Sequence, residues 1–167
     1  LISLFISALV IPAIKNGYIN ANIPFLSGSV PERTTVFVSR VIDGDTIQIN
    51  NNQNVRLKGI DCPESNQYFG DVATTYLTAA IENTQVVVEN HYTDEYKRIV
   101  GVVYYGDINI NRFMVEQGLC WAYRRYVDDV ELFALEKHAK NAGIGLWEQS
   151  NPPVSYTHLR AHETTSH

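Results

Sequence analysis

From Thr34 onward the chain breaks into short runs of β-branched and aromatic residues, each ended by turn formers, and this rhythm restricts the fold more than any other feature. "TVFVSRVI" and "DTIQI" read as strands. The asparagine-rich "NNNQN" (Asn50 to Asn54) tolerates left-handed backbone and makes a hairpin loop into "VRLKGI", a third strand with Val55, Leu57 and Gly59 on one face. "QVVVEN" and "RIVGVVYY" supply a fourth and a fifth strand, the last ending at the turn formers Gly106 and Asp107. Between the third and fourth, Phe69 to Asn83 carries Phe69, Val72, Ala73, Tyr76, Leu77 and Ala80 at helical spacing. A short helix is expected from Asn111, as N-cap, to Gly118. A longer one starts at Asp128, with Glu131 three residues on in a capping-box pattern, buries Leu132, Leu135, Ala139 and Ala142, and stops at Gly143. Five short strands interrupted and followed by helices predict an α+β, mainly β, fold: a partly open five-stranded Greek-key barrel of the OB type with three helices. Another α+β arrangement would satisfy the same element order.

At 167 residues there is room for one such domain and not for a second. The reading divides the chain into a truncated signal peptide or anchor plus linker over 1–33, the folded domain over 34–150, and a tail over 151–167. The apolar "LISLFISALVIPAI" has the length of a signal-peptide core and is short for an unaided membrane span, so a secreted or periplasmic protein is expected, with a membrane-anchored one as the alternative. In the tail, His158 and His162 stand four apart beside Glu163, but no apolar periodicity supports a helix there. From Val154 the tail resembles translated sequencing-adapter ends and is expected to be disordered or non-native. Cys62 and Cys120 are too few for a disulfide scaffold; they either pair in an oxidising compartment or stay as two buried thiols.

A net charge of −5 argues against a protein that coats nucleic acid by bulk electrostatics. Positive charge is nonetheless concentrated locally, at Lys97, Arg98, Arg112, Arg124 and Arg125. Three short segments hold the unusual charges: "DGDT" (Asp43 to Thr46), "RLKGIDCPE" (Arg56 to Glu64) and "DEYKR" (Asp94 to Arg98). Phosphodiester hydrolysis needs a cation on a non-bridging oxygen, a positioned water, and donors that meet charge as it grows in the transition state. Asp45 and Asp61 are hard oxygen ligands of the kind calcium takes, and a main-chain carbonyl near Cys62 can face the same ion. Arg56 and Arg98 offer planar forks that match phosphate oxygens. Each segment alone has a plainer reading: a hairpin corner, a loop whose Asp caps an amide, a strand-edge charge.

Together, "VIDGDTIQI", "VRLKGIDCPE", "TDEYKRIVGVVYYGDININ", "VEQGLCWAYRRY" and "GLW" resemble, in order and spacing, the thermonuclease or staphylococcal-nuclease-like family over about Val36 to Trp147. The resemblance implies an OB-fold barrel with three helices that hydrolyses DNA and RNA with calcium, by attack of water, leaving 3'-phosphate ends. It implies Asp45, Asp61 and the Cys62 carbonyl as calcium ligands, Glu64 as general base, and Arg56 and Arg98 as transition-state arginines. Asp43 matches an acidic neighbour of the metal, Tyr96 a tyrosine near the nucleotide phosphate, and Tyr123 and Tyr126 an aromatic pair at the base. Single strands are the favoured substrates, no obligate protein partner is expected, and a monomer is the default. The rival in another class is a non-catalytic OB-type module that binds single-stranded nucleic acid through aromatic stacking and a basic groove.

Overall fold

The computed structural model describes residues 31–123 and 129–149. In chain order its strands are β1 (Glu32–Asp43), β2 (Thr46–Ile49), β3 (Gln53–Leu57), β4 (Ile60–Asp61), β5 (Gln85–Thr93), β6 (Ile99–Tyr105), β7 (Ile108–Asn109) and β8 (Trp121–Ala122). Its helices are α1 (Gly70–Ile81), α2 (Ile110–Glu116) and α3 (Val130–Ala142). The N-terminal apolar run, the tail, Arg124, Arg125, Tyr126 and Asp128 lie outside the described residues.

β1 is long enough to serve two neighbours. Glu32 to Phe37 pair with β5, while Val38 to Asp43 pair with β2 across two register irregularities that bend the strand. β2 continues antiparallel to β3, and β5 to β6. β3 then runs parallel to β6, with Val55 opposite Ile99 and Leu57 opposite Gly101. That seam closes a five-stranded barrel of the OB type, so the ring is shut where the sequence suggested a partly open one. Closure gives the edges of β3 and β6 a partner and leaves no long template for another chain. The third strand stops at Leu57, and Gly59 turns outward in a left-handed turn (φ 80°) before β4 instead of extending the core face. Asn52 takes the left-handed backbone expected of the asparagine loop (φ 60°).

Alternate residues of the strands fill the barrel: Val38, Ile47, Ile49, Val55, Leu57, Val86, Val88 and Val103 are all buried. α1 packs on β1 through Ala73, Leu77 and Ile81, spaced four apart on one narrow stripe. Val72 and Tyr76, one step round the helix, were expected inside but stand exposed. With Phe69, Leu119 and Ile144 they line a surface pocket of about 320 Å³.

The second helix begins two residues earlier than expected, and its cap is Asn109, whose side chain accepts from the Arg112 amide. Asn111 is instead buried inside the first turn. Its Oδ1 accepts from the Val103 amide (3.0 Å), and its Nδ2 donates to the carbonyls of Lys58 (2.8 Å) and Gly101 (3.2 Å), tying the β3–β4 turn to β6. In α3 the cap is Asp129, accepting from the Glu131 amide, and Gly143 ends the helix in left-handed backbone. Leu132 and Ala139 are buried as expected, but Ala142 is exposed. Glu136 is buried in the same stripe, where its carboxylate accepts from the Ala122 amide (3.2 Å) and Lys140 Nζ (2.8 Å).

Candidate active site

The turn between β1 and β2 is an Asx turn: Asp43 Oδ1 accepts from the Asp45 amide at 3.0 Å, which folds the chain back and aims Asp45 inward. Asp45 is buried. Its Oδ2 accepts from the Cys62 amide (2.8 Å) and meets Arg56 Nη2 at 3.0 Å, while Thr46 Oγ1 donates to Oδ1 (3.1 Å). Arg56 comes from β3 and reaches Asp61 Oδ1 as well, at 3.3 Å. Its Nη1 donates to the carbonyls of Leu57 (3.1 Å) and Ile60 (3.0 Å). One guanidinium therefore gathers both carboxylates and the turn between them.

Burial pushes the Asp45 carboxyl up to about 7. Arg56 and the Cys62 amide pull the other way, whereas the negative charges of Asp43 and Asp61 add to the rise. A carboxylate crowded by two others in a poorly solvated place is where a divalent cation offsets the most repulsion. Among the described residues no three His, Cys, Asp or Glu side chains converge as a cage. The donor set fits a hard cation that keeps waters and takes substrate oxygens, with Asp45 and Asp61 as its carboxylates.

Cys62 and Cys120 are joined in a disulfide, which decides between the two states the sequence left open. Pro63 follows, and Glu64 lies beyond it, exposed and, among the described residues, with no hydrogen bond to its carboxylate. Its backbone is held: the Glu64 amide donates to Gln67 Oε1 (3.0 Å) and its carbonyl accepts from the Gln67 amide (2.8 Å).

Arg98 makes different contacts. Its Nε donates to Asp94 Oδ2 (2.8 Å), its amide to Asp94 Oδ1 (2.9 Å), and its guanidinium carbon lies 5.3 Å from the centre of the exposed Tyr96 ring. Burial works to raise the Asp94 carboxyl, but the amide and guanidinium of Arg98 and the amide of Tyr96 outweigh it and hold it below its ordinary value. Arg56 is opposite Val100 in the parallel seam, and Arg98 stands one residue before β6 begins, so both arginines lie near that seam. The structure thus brings Asp43, Asp45, Asp61, Cys62 and Arg56 into one cluster, and places Arg98 and Tyr96 beside β6 with Asp94. Tyr123 is half-buried beyond β8, its amide donating to the Gly59 carbonyl (2.9 Å).

Sequence reading gave no role to Thr46, Gln67, Asp94 or Gly70. A Cβ on Gly70 would overlap the Glu64 carbonyl, so the glycine lets α1 start under the Glu64 loop. Asp94 could have been found from its spacing, four residues before the arginine that it holds. Gln67 carries no such signal.

The sequence model of the family described as "Staphylococcal nuclease homologue" matches residues 54–149, more than half of the chain. The chain belongs to the staphylococcal nuclease family. Among curated relatives of this nuclease, an "Uncharacterized endonuclease" of Haemophilus influenzae is 37% identical over 131 residues, covering 76% of this chain and 74% of the relative. A "Micrococcal nuclease" of Shigella flexneri is 38% identical over 138 residues, 74% of this chain and 79% of its own length. A staphylococcal-like nuclease of Arabidopsis thaliana is 36% identical over 98 residues, 59% of this chain and 30% of its own. The nuclease's matched region runs from the second residue of β3 past the end of α3, and so takes in every charged cluster above except Asp43 and Asp45.

Proposed function

We propose that this nuclease is a secreted or periplasmic, calcium-dependent endonuclease that hydrolyses DNA and RNA by direct attack of water and leaves 3'-phosphate ends. The observation that carries the reading is the gathering of Asp45 and Asp61 around Arg56 at one end of the barrel, with the Glu64 carboxylate exposed on the following loop. Asp45, Asp61 and the Cys62 carbonyl would hold calcium, which when bound supplies charge neutralisation to a non-bridging phosphate oxygen.

The remaining work belongs to the chain's own groups. Glu64, with no hydrogen bond to its carboxylate among the described residues, accepts a proton from the attacking water. Arg56 and Arg98 meet the phosphate oxygens as negative charge builds on them. Arg98 leaves part of its contact with Asp94 to do so. Tyr96 and Tyr123 serve the nucleotide, the family resemblance assigns the same role to Tyr126 outside the described residues, and an N-terminal signal carries the protein out of the cytoplasm.

The test is cleavage of a short single-stranded oligonucleotide in calcium, and again with a chelator. Cleavage is expected in calcium alone, with product ends that a polymerase extends only after phosphatase treatment. Equal cleavage with the chelator present rejects the metal, and directly extendable ends reject the product assignment. Asp45→Ala and Asp61→Ala are each expected to weaken calcium binding in calorimetry and to abolish cleavage.

A further inference from the structure

The segment that carries Asp61 is held to the later part of the domain by very little backbone. β4 and β8 exchange only two residue pairs, Ile60 with Ala122 and Asp61 with Trp121, and so short a ladder has scant stability of its own. The next pair in that register is Cys62 and Cys120, whose Cα atoms stand 4.2 Å apart and whose sulfurs are bonded. The bond therefore extends the ladder by one covalent step, at the residue whose amide donates to Asp45 Oδ2 (2.8 Å) and whose neighbour is Asp61. The Asp43–Asp45 turn rests on it from the other side: the Gly44 carbonyl is 3.1 Å from Cys62 Sγ and 3.8 Å from Cys120 Sγ. A Cβ on Gly44 would come within 2.8 Å of Cys62 Cβ and 2.9 Å of Ala73 Cβ, so only glycine lets the turn sit this close. Both cysteines are buried.

We propose that Cys120 is a positioning residue: through its bond to Cys62 it braces the Asp43–Asp45 turn against the Asp61–Glu64 loop, and the nuclease reaches its full calcium affinity only when oxidised. The inference rests on the reading of Asp45 and Asp61 as the calcium carboxylates. Reduction by a dithiol such as dithiothreitol delivers two electrons and two protons. The S–S bond breaks, two S–H bonds form, and the reagent closes into its own cyclic disulfide. The loop then keeps the two-pair ladder, the amide bond to Asp45 and the contacts of Arg56, but no covalent tie to Cys120.

Two bond-free forms test this, Cys120→Ala and the better-filled Cys120→Val, each leaving Cys62 in place. Without metal, amide exchange across residues 58–64 is expected to quicken at least about tenfold while cooperative unfolding persists. Calcium affinity should fall at least about tenfold, and turnover at saturating calcium should return to within about threefold of wild type, because the catalytic groups are intact. Wild-type exchange and wild-type calcium affinity in either folded variant overturn the proposal. If neither variant folds, wild type reduced at low temperature and then reoxidised gives the same comparison, and unchanged exchange there overturns it too. Asp45→Ala separates the two readings: unchanged calcium affinity in that variant removes the metal assignment, while the exchange result still decides the brace.

Discussion

Arg56 and Arg98 differ in what they hold before substrate arrives. Arg56 bonds two carboxylates and two carbonyls, whereas Arg98 is tied to Asp94 and its own turn. A lysine keeps the charge of either but loses the fork. Arg56→Lys and Arg98→Lys are each expected to lower turnover at least about a hundredfold, the scale of losing one preorganised donor to a developing oxyanion. Only Arg56→Lys should also weaken calcium binding, because it alone releases Asp45 and Asp61. Steady-state kinetics with a calcium titration separate the two; wild-type turnover in both would remove the arginines from the mechanism. Asp45 makes a second prediction. Its folded carboxyl is raised to about 7 from 3.8, so the metal-free fold holds that contribution fully below pH 3.8 and loses it as pH rises through 7. Calcium must displace the proton, so its affinity should strengthen about tenfold per pH unit up to near 7 and level off above. Calorimetry from pH 5.5 to 8.5 checks this, and a flat profile rejects it.

At the scale of elements, the loop from Glu64 to Gly70 is a chain of short turns wedged against the start of α1. Gly70→Ala must move either the helix or the Glu64 carbonyl that a Cβ would overlap. It is expected to cost about 1–3 kcal/mol, the range for forcing atoms into a packed place, and to lower turnover more than calcium affinity, since Glu64 shifts while Asp45 and Asp61 do not. Urea unfolding and kinetics at saturating calcium measure both. The strands are legible because β-branched alternation reports a half-buried sheet directly, as in "QVVVEN" and "RIVGVVYY". Helical spacing misleads at the residues where burial, not pattern, decides. Asn111 looks like a cap because Asn caps are common, yet Asn109 caps and Asn111 serves three backbone partners on β6 and the β3–β4 turn. Val72 and Tyr76 complete an apolar stripe in sequence, but the barrel accepts only the narrow row of Ala73, Leu77 and Ile81. The closeness of Asp45, Asp61 and Arg56 is legible because all three lie at the ends of consecutive short strands, while their roles are read from the family resemblance. The grip of Asp94 on Arg98 and of Gln67 on Glu64 is a matter of turn geometry, which residue type alone does not reveal.

For the molecule as a whole, the disulfide spans 58 residues, and closing a loop of that length in the unfolded chain is worth about 4 kcal/mol in the chain-entropy account. Reduced protein should therefore unfold at markedly lower urea than oxidised protein, a comparison that a pair of unfolding curves settles; coincident curves would deny the bond a role in stability. The parallel seam has a different consequence, in the order of events during synthesis. Val55 and Leu57 lack their parallel partners until Ile99 and Gly101 exist, and the carboxylate loop waits longer still, for Cys120, Trp121 and Ala122. Its two halves come from the early and late parts of the domain, so a growing chain on the ribosome carries every acidic group of the site well before it can assemble one. On the proposed substrate reading, the message that encodes the nuclease is out of its reach until translation has passed the last of those residues. A chain ending before Cys120 is expected to bind no calcium and to cleave nothing, and measurable cleavage by such a chain would show that the site assembles without its late partners.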